Sequence, residues 1–245
     1  MFIIFTINSG KIRGVNSEMG ENIVVIGAHP DDYEIGIGML IAKNVAQGHD
    51  VYGIMVSNGE KSGHNGNTSR ESEGRKAAEM LGLRDVYFLG YPDAQLHNYY
   101  DAIFTDLERL INDLKPAQVF THCPDDRHLD HRIVREVGES AARKVAEFYG
   151  YSSPSIQPNG LSAFDTFFIG SRELMDLKVN VFKEAYASQI TKGGIVDCGA
   201  LCSASHFWAQ TFLPYHPEAY LEPLAPLRSR YRVAQNGFQP GWQNE

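Results

Sequence analysis

The run Ile23-Val24-Val25-Ile26-Gly27 restricts the fold of this chain more than any other feature. It is apolar without alternation, so a strand made from it must be covered on both faces. The reading is a strand over Asn22–Ala28 and, after a His-Pro-Asp-Asp turn, a helix over Ile35–Gln47 that Gly48 stops. The alternation then repeats. Strands are expected over Val51–Val56, Val86–Leu89 and Gln118–His122, with helices over Arg70–Leu81, Ala102–Leu114 and His131–Phe148. Gly82 and Lys115-Pro116 supply stops for two of the helices. Strands alternating with helices imply βαβ units. The expected fold is therefore α/β: a Rossmann-like, three-layer α/β/α arrangement around a mostly parallel central sheet.

Beyond this core the signals weaken. Residues 149–160 are rich in Ser, Pro and Asn and read as a long connection. A strand over Ala163–Ile169 and a helix over Leu174–Tyr186 are expected next. The final stretch, with Pro214, Pro217, Pro223 and Pro226, reads as irregular. Phe2-Ile3-Ile4-Phe5 is either an added edge strand or part of a start-site extension before Met19. No repeat or second domain is evident, so residues 1–245 are read as one domain with its core over about 22–190.

Two acidic-histidine clusters stand at predicted strand ends. One is Ala28-His29-Pro30-Asp31-Asp32-Tyr33-Glu34, the other Pro124-Asp125-Asp126-Arg127-His128-Leu129-Asp130-His131. Open parallel sheets bind ligands outside the carboxyl ends of their strands, where both clusters fall. His29, Asp32 and His131 make a two-histidine, one-carboxylate set that suits catalytic Zn²⁺ with an open position for water. Fe²⁺, Mn²⁺, Co²⁺ and Ni²⁺ suit the same donors. Asp31 is then placed to take a proton from water, and His128 to stabilise an oxyanion. Asp130 is a candidate to orient one of the histidines. The competing reading has Asp31 and Asp32 merely capping the helix that follows.

The formal charge of -8 and the lack of a Lys/Arg stripe argue against a nucleic-acid backbone as partner. No stretch reaches the length of a membrane span. The three cysteines form no Cys-x-x-Cys unit, which fits reduced thiols in a cytoplasmic protein, with Cys123 as a small buried filler.

These motifs resemble those of the LmbE-like, or PIG-L-type, N-acetylglucosaminyl deacetylases. The two hallmarks are Ala28 to Glu34 and His128-Leu129-Asp130-His131. Supporting matches are Ser57-Asn58-Gly59-Glu60, the Arg70 to Gly82 helix, Gly90-Tyr91-Pro92-Asp93, and Lys183 to Gln189 with Ala185 one place early. Gly38-Met39 departs from the pattern, and the 149–160 connection aligns poorly. The resemblance implies Zn²⁺ on His29, Asp32 and His131, Asp31 as general base, and His128 as partner of the oxyanion. It also implies substrate contacts from Arg70 and Asp93, although Arg70 could instead pair with Glu73, and Asp93 could only shape a turn. Glu34 is expected to be structural. The implied substrate is a small N-acylated amino sugar. A thiol-conjugate amidase, a long-chain de-N-acylase and a non-catalytic sugar-binding protein are the alternatives. The C-terminal part is expected to form a substrate cap or homo-oligomer contacts, in a trimer or hexamer. His64 and His206 are further candidates for the site, and Phe207, Trp208 and Phe212 for an aromatic platform.

Overall fold

The structure is a computed structural model that describes residues 20–62, 70–155, 164, 166–190, 197–213, 215–216 and 218–229. Phe2 to Phe5, Met19 and His64 lie outside these residues. Strands β1 (Asn22–Gly27), β2 (Asp50–Ser57), β3 (Asp85–Tyr91), β4 (Gln118–His122), β5 (Glu147–Tyr151), β6 (Thr166–Gly170) and β7 (Tyr220–Ser229) form one sheet. Its order is β3-β2-β1-β4-β5-β7-β6. The first five strands pair in parallel, and β7 runs antiparallel between β5 and β6.

The helices are α1 (Asp32–Ala46), α2 (Glu71–Leu81), α3 (Tyr100–Leu114), α4 (Leu129–Ala141), α5 (Arg172–Ala185), α6 (Ala187–Ile190) and α7 (Cys198–Phe212). The unbroken apolar run of β1 now has its physical explanation. Ile23 and Val25 enter one core with Leu40, Ala77 and Phe182, from α1, α2 and α5. Val24 and Ile26 enter the opposite core with Leu107, Leu110 and Val137, from α3 and α4. Both faces of the strand are dry, so neither can be polar.

Chain order reverses around β1: β2 lies on one side of it and β4 on the other. A crevice opens at such a switch point, outside the carboxyl ends of the two strands. The acidic-histidine clusters follow β1 and β4, so the topology delivers both to this crevice.

Two expectations are corrected. The helix expected over His131–Phe148 ends at Ala141, and Glu147–Tyr151 is strand β5. Ala141-Ala142-Arg143-Lys144 favours helix locally, but Phe148 is drawn fully into the core beside β4. Tertiary packing wins over helix propensity there. Within the final stretch expected to be irregular, Tyr220–Ser229 forms strand β7, and α7 precedes it where no element was expected. Prolines argue against an internal strand, yet Pro226 stands opposite Tyr149 beside a register shift in the β5–β7 ladder, where a bulge tolerates it. No helix of the described residues is long and apolar enough to cross a membrane.

Gly150 on β5 lies tight against the carboxyl end of β4. A Cβ there would stand 2.8 Å from Cys123 Cα, which is backbone and cannot swing away. Gly150→Ala is therefore expected to destabilise the fold by about 1–3 kcal/mol in urea melts. Cys123 is fully buried, and burial pushes its thiol up to about 12, in keeping with an inert filler.

Candidate active site

The turn after β1 is built around its own carboxylates. Asp32 Oδ2 accepts the His29 backbone N–H at 2.7 Å, closing the turn that starts α1. Asp31 occupies the N-cap position with φ 110°, and its side chain makes no capping hydrogen bond. A non-glycine residue held in that region carries strain that the surrounding structure must over-determine. Asp31 does not cap the helix. Its Oδ2 instead accepts from Arg70 Nη2 at 2.7 Å, and both side chains are buried.

The second cluster is organised by Asp126. Its carboxylate accepts the His128 backbone N–H at 2.8 Å and the hydroxyls of Ser153 and Ser155. It also lies 2.9 Å from His131 Nδ1. Those interactions hold the Asp126 carboxyl well below the usual carboxylate range against the opposing effect of burial. The His131 contact assigns the tautomer: Nδ1–H donates to Asp126, which leaves the Nε2 lone pair facing into the site. His131 Nε2 is 3.3 Å from Asp32 Oδ1.

His29 mirrors this arrangement. Its Nε2 lies 3.2 Å from Asp93 Oδ1 and 3.3 Å from Asp130 Oδ2. A proton on Nε2 serves those carboxylates and turns the Nδ1 lone pair towards Asp32 Oδ2, 3.5 Å away. Two imidazole lone pairs and a carboxylate thus converge with no hydrogen between them. Such an arrangement requires added protons or a cation. In the absence of an ion, burial opposes a charged His131, yet Asp32 and Asp126 outweigh it and hold the ring at about 9. The donors fit a borderline divalent cation of the zinc class. Among the described residues, the groupings close enough to share an ion are His29/His128/His131, Asp32/His122/His131 and His29/Asp93/Asp130. His29, Asp32 and His131 do not together form one of these groupings: each histidine meets Asp32, at 3.5 and 3.3 Å, while the two rings stand 5.4 Å apart.

The remaining sequence candidates fall around this centre. His128 is at the N-cap of α4, its ring 5.0 Å from that of His29 and 4.4 Å from that of His131. Asp130 is buried beside His29 and accepts the Ala94 N–H at 2.7 Å. Asp93 lines the cleft and also ties two loops, since its Oδ2 accepts the Lys61 N–H while its own N–H donates to Glu60. Arg70 forms the expected pair with Glu73 at 3.2 Å in addition to its bond to Asp31. Glu34 is structural: it accepts from Tyr186 Oη at 2.8 Å, and burial pushes it to about 8. His206 lies on α7 against Tyr220 rather than on the cleft wall.

Four residues escaped the sequence reading as parts of the site. His122 ends β4, stacks on His131 at 3.9 Å, and accepts the Ala28 N–H through Nε2 at 3.1 Å. Burial lowers it to about 4, so it is a neutral ring beneath the site. Its position at the carboxyl end of a predicted strand was the available signal. Asp126 stood inside the second cluster without a role assigned to it, and Ser153 and Ser155 carried no signal, because they belong to a different loop.

The cleft above these groups encloses about 400 Å³ and is walled by Asp31, Arg70, Asp93, His128 and His131, among others. A second cavity of about 270 Å³ shares Ile35 and Pro154 with it and is walled by α7 through Ala200, Ala204 and Trp208. Trp208 stacks on Phe212, and both pack against Phe167.

The family model for PIG-L, GlcNAc-PI de-N-acetylase, matches residues 24–142. The uncharacterized deacetylase YaiS of Escherichia coli (strain K12) is 30% identical over 154 residues, which cover 61% of this chain and 82% of that protein. The 1D-myo-inositol 2-acetamido-2-deoxy-alpha-D-glucopyranoside deacetylase of Corynebacterium glutamicum (strain R) is 26% identical over 214 residues, covering 71% of this chain and 73% of that one. Among solved structures, GalB, the 4-carboxy-2-hydroxymuconate hydratase of Pseudomonas putida KT2440, superposes with a TM-score of 0.70 at 19% identity, over 86% of this chain and 97% of that one. The hydratase shares the fold alone, and a fold does not fix a chemistry. The family is carried by the sequence matches and by the two clusters they span: this chain belongs to the PIG-L, LmbE-like family of deacetylases.

Proposed function

We propose that this chain is a zinc-dependent hydrolase that removes an N-acetyl, or other N-acyl, group from an amino sugar. One observation carries the reading. Two imidazole lone pairs converge on Asp32, and a second buried carboxylate, Asp31, stands beside them and faces the same cleft. A sugar-binding module has no use for that second carboxylate. The similarity to a 2-acetamido-2-deoxy-glucopyranoside deacetylase supports the substrate class.

His29, Asp32 and His131 would hold the ion. A zinc-class cation supplies Lewis acidity, which acidifies water and polarises an amide carbonyl. Asp31 accepts the proton of the attacking water. Burial raises its carboxyl above the ordinary range while Arg70 opposes that rise, and a more basic carboxylate is the better proton acceptor. His128 presents an N–H to the oxyanion of the tetrahedral intermediate. The C–N bond then breaks, and the proton held by Asp31 or by His128 passes to the leaving amine. Arg70 and Asp93 border the cleft where sugar hydroxyls would sit. The second cavity, walled by α7, receives the substituent beyond the reacting amide and selects between acetyl and longer acyl groups.

A panel of N-acetyl, longer N-acyl and thiol-conjugated glucosamines tests the reading by the appearance of free amine. At least one N-acetyl amino sugar is expected to yield amine and acetate in equal amounts. Turnover only of the thiol conjugates or the long-chain amides would reassign the substrate. Zinc-dependent sugar binding with no amine from any amide would replace the enzyme by a binding protein.

A further inference from the structure

Helix α1 is broken at Ile37, where φ is -141° and ψ is 29°. A break in a buried helix turns backbone groups away from the i to i−4 ladder, and each needs a partner. Here one ion pair provides for three of them. Lys178 of α5 donates from Nζ to the Ile35 carbonyl at 2.6 Å and to Glu222 Oε1 at 2.7 Å. Glu222 of β7 accepts the Met39 N–H at 3.0 Å and the Leu40 N–H at 2.9 Å. The pair is buried, with side chains 3% and 1% exposed. Gly38 makes room for it: a Cβ there would meet Lys178 Cγ at 3.2 Å.

A buried ion pair is a poor source of stability, because apolar residues of the same volume would avoid its desolvation penalty. Apolar residues could not bind the backbone of a broken helix. The break separates the first turn of α1, which carries Asp32 and Glu34, from the longer remainder of the helix. Tyr186, just beyond α5, holds Glu34 in the same turn.

We infer that Lys178 and Glu222 are positioning residues that fix the angle at which the first turn of α1 presents Asp31 and Asp32 to the active site. The inference rests on the metal-hydrolase reading of that site. Both residues lie outside the span 24–142 matched by the family model. The C-terminal strand therefore sets the geometry of a turn near the start of the chain.

The test uses the full-length double variant Lys178→Met/Glu222→Leu, which removes both charges together. Zinc affinity is measured by competition with a chromophoric chelator, and hydrogen exchange is followed over residues 32–40 and over α3. The variant is expected to melt cooperatively, to bind zinc about 10-fold or more weakly, and to exchange faster over 32–40 with α3 unchanged. Zinc affinity within about twofold of wild type, with a lowered melting temperature, would show a purely structural pair and overturn the inference. If the double variant does not fold, Glu222→Gln replaces it, since the amide keeps the volume and loses the charge. A several-fold loss of zinc affinity then upholds the inference, and an unchanged affinity overturns it. A wild-type protein that binds no zinc would instead refute the metal reading. In that case exchange over 32–40 decides for the clamp if it rises in the variant and against it if it does not.

Discussion

Asp31→Asn is expected to slow turnover by about 10²–10⁴-fold while leaving the fold and the zinc content intact, the usual contribution of a positioned general base. The substitution is nearly isosteric. Asparagine is also one of the few residues that tolerates positive φ, so the 110° backbone at this position is retained at little cost. The amide oxygen can still accept from Arg70, which keeps its second carboxylate partner in Glu73. What is lost is a group able to take a proton from water. The effect should appear in kcat, with KM little changed, because the interaction is made only as the reaction proceeds. Zinc content by elemental analysis and kcat on the best substrate decide the matter. A rate within tenfold of wild type would remove Asp31 as the base and leave it as Arg70's counter-ion.

Exhaustive treatment with a chelator is expected to lower activity by about 10³-fold or more, and added Zn²⁺ should restore it, because Lewis-acid stabilisation supplies several kcal/mol of the barrier reduction. Full activity in the stripped protein would sink the metal reading. Asp126 sharpens this prediction. It fixes the tautomer of His131 through a 2.9 Å contact and holds the loop carrying Ser153 and Ser155. Asp126→Asn leaves an oxygen able to accept but removes the charge, and is expected to weaken zinc binding about 10–100-fold. Stripping should then occur at correspondingly lower chelator concentration. An unchanged affinity would mean that the flanking rings of His122 and His128 and the Ser155 hydroxyl suffice to orient His131.

The parts of this molecule that were legible in its sequence are those governed by local rules. The apolar β1 run, the Gly82 stop and the Lys115-Pro116 stop each act within a few residues, and the corresponding elements lie where expected. The two clusters were legible because they combine unusual residue types at strand ends. The β5 segment was not, since its conversion from helix to strand comes from pairing with β4 and burial of Phe148. Nor was the Asp126 network, whose partners are 27 and 29 residues away. The roles of Lys178 and Glu222 were hidden for the same reason. An isolated lysine and glutamate on separate elements give no pattern until the backbone brings them to one helix break.

The internal place of β7 in the sheet bears on how the molecule is made. The Glu222 contact with Met39 spans 183 residues of sequence. Contacts of such separation form late, because the intervening loop must close before they are rewarded. During synthesis, β1 to β4 and their helices can assemble as the chain emerges, with both histidine clusters already in place. The break in α1 stays without its carboxylate partner until β7 enters between β5 and β6. On the positioning role proposed for Lys178 and Glu222, the first turn of α1 takes its final angle only once the sheet is complete.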